Sequence, residues 1–419
     1  MRSHLLLISG LFALVYNLAA QTLEVSSARV MSDQTAIVRA AGLEPGERIT
    51  LRSELSDGSG ERWSAQADFV AGADGAVDAS RQVPVAGSYK EVSAMGLIWS
   101  MMPASKKVQS YVPMRDLGPQ TVEFHLMRKG QPVASAQLVQ AALAEGVRRI
   151  PVEDKALRGV LFLPGGSERH AGVLVLGGTE GGMPLRRAAW LASHGYAALA
   201  LAYFRYQDLP PQLEFIPLEY FQRALQWMAQ RPEISGNRFA VMGGSRGGEL
   251  ALQLGSMFPG IAAVVAYVPS NVRVASCCRN DGGPAWTWTG RALAYATPGR
   301  RQLPEQAMRA EIEVEKTQAP ILMISGGDDK VWARPSAGMA DDVVSRLKRA
   351  HFAYSFENLK YPHAGHYAGR PEIIPAWHGM VRNPTSGKEH EVGGSPLGDA
   401  ESSLDSIPKV LAFLKQALQ

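Results

Sequence analysis

RFAVMGGSRGGELAL, Arg238 to Leu252, is the stretch on which the fold turns. RFAVMGG reads as a strand, and a helical pattern opens at Arg246. Between them stands Gly243-Gly244-Ser245-Arg246-Gly247, a G-x-S-x-G pentapeptide. In a chain with 42 glycines the pentapeptide alone is common, and its strand and helix flanks are what make it informative. In that setting Ser245 sits on a tight turn whose strained backbone tolerates only small neighbours. Its hydroxyl is lifted above the sheet at the positive end of the following helix. Gly243 and Gly247 keep strand and helix from colliding.

Working outward, GVLVLGG, a helix containing AAWLASHG, and YAALALAYF alternate apolar strands with a helical pattern, the grammar of βαβ units and a parallel sheet. A helix from about Leu218 to Gln230, the strand IAAVVAYV and the later strands ILMISGG and AYSFENL continue it. SLDSIPKVLAFLKQAL closes the chain as an amphipathic helix with Pro408 expected in its first turn. Between Leu23 and Leu138 the pattern is different. TAIVRA, RITLRSEL and TVEFHLM are short alternating or β-branched runs separated by the turn signals LEPGE, GADGAVD and RKGQP, which predicts an antiparallel β-sandwich.

A length of 419 residues fits two domains, and the boundaries expected are 1–20 for a leader, 21–142 for the sandwich and 143–419 for the α/β part. With 46% hydrophobic and 20% charged residues the chain is neither disordered nor a polytopic membrane protein. The formal charge is 43 − 39 = +4, with no block of Lys and Arg, so nucleic acid is not an expected partner. Arg2, the apolar run Leu5 to Val15 and Leu18-Ala19-Ala20 read as a signal peptide cut after Ala20. No later apolar run is long enough to span a bilayer, which predicts an exported, soluble, periplasmic protein. The only cysteines, Cys277 and Cys278, are adjacent, which excludes a disulfide framework and a CxxC metal site and leaves a loop feature or a redox pair.

A serine hydroxyl needs a base and an orienting acid, in this fold in the chain order Ser, Asp or Glu, His. GGDDKVW follows a strand and offers Asp329, with Asp328 as competitor; KYPHAGHYAG follows the next and offers His366, with His363 as competitor. Oxyanion donors are expected at the backbone of Arg246 and in the glycine-rich turn LGGTEGG, at Gly178 and Thr179. That turn fits no G-x-G-x-x-G frame, and no G-K-[ST] occurs, so nucleotide binding is not expected. The triad chemistry requires no metal or organic cofactor. Glu249 is expected to play a structural part beside Arg246, and Trp286 and Trp288 to form either an acyl pocket or local packing.

The chain resembles the family of acyl-CoA thioesterases and bile acid-CoA:amino acid N-acyltransferases. GLEPGERITLRSEL, RWSAQADFVAGADGAVD and VPVAGSYKEVSAMGLIWSM look like that family's N-terminal β-sandwich, immunoglobulin-like in class. HGYAALALAYFRYQDLP, PLEYFQRAL, GGSRGGELAL, SGGDDKVW and YPHAGHY look like its α/β-hydrolase domain. The resemblance implies Ser245 as nucleophile, Asp329 as acid and His366 as base, and a small acyl thioester, acyl-CoA or ester as substrate. The amino-acid-conjugating members use Cys where this chain has Ser245, which points to water as acceptor and keeps N-acyl transfer as the alternative. A further alternative is a secreted binding protein with a vestigial site. The export signal is a departure from members that act on CoA thioesters inside cells, and it keeps an exported esterase or amidase as a further alternative.

Overall fold

Alternation decides the N-terminal half. Along Arg48–Ser56, Ile49, Leu51, Ser53 and Leu55 point inward while their neighbours face out, and Arg62–Val70 pairs with it antiparallel. Gln120–Arg128 and Gln131–Ala141 extend that sheet on its other side. A smaller sheet of Thr22–Val25, Val38–Ala41 and Val77–Asp78 shares its core, where Leu23, Val38 and Ala40 meet Ile49, Trp63, Phe69, Phe124 and Leu126. The result is a β-sandwich. The structure, a computed structural model, describes residues 20–277, 282–297 and 304–418; the expected leader and Cys278 lie outside these.

The C-terminal half is one eight-stranded sheet: β1 (Arg148–Pro151), β2 (Arg158–Leu163), β3 (His170–Leu176), β4 (Ala197–Ala202), β5 (Ile234–Gly244), β6 (Ile261–Tyr267), β7 (Ile321–Gly326) and β8 (Phe356–Tyr361). Its order is β1-β2-β4-β3-β5-β6-β7-β8, antiparallel at β1 and β2 and parallel from β4 onward. The inner strands are apolar on both faces, as a sheet covered by helices on both sides requires. Helices α1 (Leu185–Ser193), α2 (Glu219–Ala229), α3 (Arg246–Met257), α4 (Ser336–Arg349) and α5 (Pro396–Ala417) connect and cover it. This is an α/β-hydrolase fold. Register places the site: Leu176 pairs with Gly243, and Gly244 with Tyr267, so β3, β5 and β6 end abreast and their following loops converge at one edge.

Two local expectations are corrected. The last helix begins at Pro396, so Pro408 lies in its interior. The start is fixed by Ser395, whose side chain accepts the Gly398 N–H, with Pro396 at the first helical position, a stronger stop-start signal than a proline further along. The strand expected from AYSFENL is set later, at Phe356–Tyr361, in register with β7.

The two halves are bolted together through polar groups as well as apolar ones. Asp33 of the sandwich accepts from Trp190 Nε1 at 2.9 Å and lies 2.7 Å from His194 Nε2, both borne by α1 or its end. Ile373 and Ile374, far along the chain, join the sandwich core, and Gln140 Nε2 donates to the Ile373 carbonyl at 3.0 Å. The loop that follows the eighth strand is thereby held from both sides. Among the described residues no helix is long and apolar enough to cross a membrane.

Candidate active site

The turn after β5 carries the local strain its sequence requires. Ser245 has φ 56° and ψ −119°, outside the regions open to most L-residues, and its N–H donates to the Tyr267 carbonyl at 2.9 Å. A side-chain carbon on Gly243 would lie 2.1 Å from the Gly247 carbonyl oxygen, and one on Gly247 would lie 2.4 Å from that of Gly177. Only hydrogen fits at either position. Ser245 therefore precedes the first residue of α3 and stands over the strand ends.

His366 Nε2 lies 2.9 Å from Ser245 Oγ, and its Nδ1–H faces both Asp329 oxygens at 2.9 and 3.0 Å. The Asp329 carboxylate is fully buried and also accepts the Val331 N–H at 3.0 Å, which fixes its orientation. The His366 backbone N–H donates to the Val392 carbonyl, and the Trp332 ring stands edge-on to the imidazole at 6.0 Å. The competitors lie elsewhere: Asp328 accepts from the Gly394 N–H at 2.8 Å, and His363 is exposed.

The expected oxyanion donors divide. Arg246 N–H heads a helix, and neither it nor the Thr179 N–H donates to any protein group among the described residues. The Gly178 N–H is engaged, donating to the Glu180 carboxylate at 2.9 Å. Glu180 thus stands beside Ser245: a side-chain carbon at Gly178 would meet Glu180 Oε2 at 2.7 Å and Ser245 Cβ at 3.3 Å. Thr179 is braced from a distant segment, its hydroxyl accepting from Asn383 Nδ2 at 2.8 Å and its carbonyl from Thr385 Oγ1 at 2.6 Å.

Glu249 is wholly buried beside Arg246, 3.4 Å from its Nε, and accepts from Trp286 Nε1 at 2.8 Å. Burial raises its carboxyl pKa, opposed by Arg246 and by that hydrogen bond. Arg246 Nη1 and Nη2 donate to the Ala275 and Val274 carbonyls, tying the loop after β6 to α3. Trp286 packs on Tyr203 and Phe221, and Trp288 on Phe258; neither lines the cavity at Ser245, so local packing is the role the structure gives them. Cys277 packs against the edge of this core.

Ser245 and His366 open into a cavity of about 510 Å³ whose wall is assembled from segments far apart in the chain. Tyr111 and Pro113 come from the sandwich, Arg186 and Arg187 from α1, and Tyr367, Arg370 and Glu372 from the loop after β8. Val381, Arg382, Asn383 and His390 come from a two-stranded hairpin, Val381–Arg382 with Glu389–His390. His390 is held below its ordinary pKa by burial, then by the nearby His366 and Lys388.

Two family models match the chain: one described as BAAT / acyl-CoA thioester hydrolase C terminal over residues 216–419, the other as acyl-CoA thioester hydrolase/BAAT N-terminal region over 33–154. Acyl-coenzyme A thioesterase 1 of Mus musculus is 31% identical over 405 residues, covering 94% of this chain and 95% of the mouse protein. Acyl-coenzyme A thioesterase 6 of Homo sapiens is 30% identical over 417 residues, covering 96% and 97%. Of solved structures, a dienelactone hydrolase from Anabaena variabilis aligns with 66% of this chain and 100% of its own at 17% identity, with a TM-score of 0.39.

Proposed function

The chain belongs to the acyl-CoA thioester hydrolase/BAAT family, and from that premise we propose that it hydrolyses acyl thioesters through an acyl-Ser245 intermediate. The observation that carries the mechanism is the unbroken hydrogen-bond chain from buried Asp329 through His366 to Ser245 at the floor of the cavity. His366 Nε2 takes the Ser245 proton as Oγ attacks the carbonyl, and Asp329 holds the Nδ1–H tautomer and stabilises the imidazolium. The tetrahedral oxyanion accepts from the Arg246 and Thr179 N–H groups, the two left without a protein partner. Collapse expels the thiolate, which leaves with the proton from His366. Water, deprotonated by the same imidazole, then releases the acid and restores the Ser245 hydroxyl.

A coenzyme A thioester is the substrate this reading names first, because the relatives are acyl-coenzyme A thioesterases over nearly their whole length. The leader read in residues 1–20 favours a second reading, an exported enzyme acting on an ester or another thioester. Thiol release from a chain-length series of acyl-CoAs, beside p-nitrophenyl esters and with Ser245→Ala as blank, tests both. CoA release that depends on Ser245 supports the first; ester cleavage without CoA release selects the second. Turnover by Ser245→Ala equal to the parent overturns the mechanism. Acyl-glycine or acyl-taurine among the products would identify an amine as acceptor.

A further inference from the structure

Charge in the Ser245 cavity is not balanced pair by pair. Arg186 is matched, its Nε donating to Glu372 at 2.7 Å and its Nη2 at 2.5 Å. Arg187 and Arg370 are not: among the described residues neither has an ion pair or a hydrogen bond to a protein acceptor. Arg187 lies with its guanidinium over the Tyr267 ring, 4.3 Å from the centroid, and its Nε is sealed from solvent without a partner. Burial lowers its pKa, and the field of Arg370 adds to the lowering while Tyr267, Glu180 and Glu372 oppose it. Arg370 stacks on Tyr367, 3.3 Å from the ring centroid, and both residues line the same cavity. Glu180, the other carboxylate lining the cavity, accepts from the Gly178 N–H and among the described residues forms no ion pair with either arginine. A half-buried guanidinium pair that repels itself is costly unless an anion is to lie between its members.

The position of that anion follows from the elbow. Arg187 Nη1 would lie 2.9 Å from a side-chain carbon on Gly244, the residue before the nucleophile. An anion held there is a few bonds from the carbonyl that Ser245 attacks. The phosphates of coenzyme A are separated from their thioester by the whole pantetheine arm, so they cannot reach Arg187 while the carbonyl is at Ser245. In a hydrolysis, where water is the acceptor, the group beside the reacting carbonyl that can carry this charge is the acyl chain. We propose that Arg187 and Arg370 form a carboxylate subsite, and that the preferred substrates are short acyl thioesters carrying a second, terminal carboxylate. This rests on the acyl-hydrolase reading above and adds the class of acyl group.

Glutaryl-CoA and pentanoyl-CoA have the same chain length and the same leaving group, so contacts to coenzyme A cancel in the ratio of their kcat/KM. The wild-type ratio should favour glutaryl-CoA by about tenfold or more, the scale of one hydrogen-bonded charge pair. Arg187→Met and Arg370→Met should each lower the ratio about tenfold, and Arg187→Lys less. A wild-type ratio at or below one, or a ratio unmoved in both Met variants, overturns the proposal. So does an Arg187→Met effect confined to the yield of acyl-glycine, because the anion held would then be the acceptor's. Calorimetry on Ser245→Ala gives a measurement independent of turnover and of the folding of the arginine variants: glutarate should bind about tenfold tighter than pentanoate, and equal binding overturns the subsite. Absence of Ser245-dependent thiol release from every acyl-CoA is the distinct failure of the hydrolase reading, and the glutarate comparison remains decisive for the subsite in that event.

Discussion

The elbow after β5 and the wall of the cavity above it are built in opposite ways. Gly243 to Gly247 form a structure whose partners are in β3, β5, β6 and α3, all elements of one continuous sheet and its helices. The wall is drawn from a sandwich loop at Tyr111 and Pro113, from α1, and from residues 367–392, segments that meet only because two layers dock. The elbow tolerates no added atom at Gly243 or Gly247, whereas the wall is lined largely by long side chains, among them Arg186, Arg187, Tyr367 and Arg370. Chemistry is thus assigned to the rigid part and selectivity to the assembled part.

The largest break in that comparison is expected at the elbow. Ser245→Ala should lower kcat by about four orders of magnitude or more with an unchanged melting transition, since it deletes the proposed nucleophile and no packing. Asp329→Asn should cost about as much as is found when other triads lose the acid's charge, roughly 10⁴ in kcat, because the imidazole is left in the wrong tautomer. If Asp328→Asn produced the larger loss, the assignment between the two carboxylates would be reversed. Gly247→Ala should show a different signature. Its methyl would meet the Gly177 carbonyl at 2.4 Å, so destabilisation of about 1–3 kcal/mol should appear in a denaturant titration, together with loss of activity.

What could be read from the sequence follows the same division. Ser245 directly follows a strand and Asp329 and His366 lie in the loops that follow two others, so chain order and position after a strand suffice to nominate them, and the side chains stand within hydrogen-bond distance. The β-sandwich and the parallel sheet were likewise visible, because periods of two and apolar strand runs are local signals. Arg187, Arg370, Glu180 and Tyr111 had no such signal, since each matters through a tertiary neighbour from another segment. Glu180 shows why a motif read alone is incomplete: two residues beyond Gly178, it turns its carboxylate back onto the amide nominated for the oxyanion. Pro408 misled for the converse reason, a local rule applied where Ser395 and Pro396 had already fixed the helix start.

Between elbow and wall in expected size is the anchor of the sandwich loop. Asp57 accepts from Ser59 Oγ, from Trp63 Nε1 at 3.1 Å and from the Val112 N–H at 3.1 Å, between Tyr111 and Pro113 of the cavity wall. Burial raises its pKa, but these hydrogen bonds outweigh burial and hold the carboxyl below its ordinary value. Asp57→Ala leaves a buried indole N–H and an amide without their acceptor, so stability should fall by about 1–3 kcal/mol. If the wall governs selectivity, KM should rise more than kcat falls. The sign with pH is that of a depressed acid: its contribution is complete above about pH 4 and is lost as pH falls through the lower folded value. A stability profile in which the parent and the variant converge at low pH would fit; parallel profiles would remove Asp57 from that role.

The smallest effect belongs to His390, in the hairpin that covers the site. Burial, then the neighbouring His366 and Lys388, holds its pKa below the ordinary histidine value. The unfolded chain then binds a proton more readily than the folded one, so stability falls as pH drops through about 6.5 and levels off below the folded value. His390→Gln should flatten that part of the melting-temperature profile by a degree or two at most. Turnover should change little, because His390 lines the cavity without a hydrogen bond to Ser245, His366 or Asp329 among the described residues. A fall in kcat of about tenfold or more would mean that the hairpin acts on His366 through position, by way of the Val392 carbonyl that its N–H engages, and the separation of rigid chemistry from an adaptable wall would then fail at this contact.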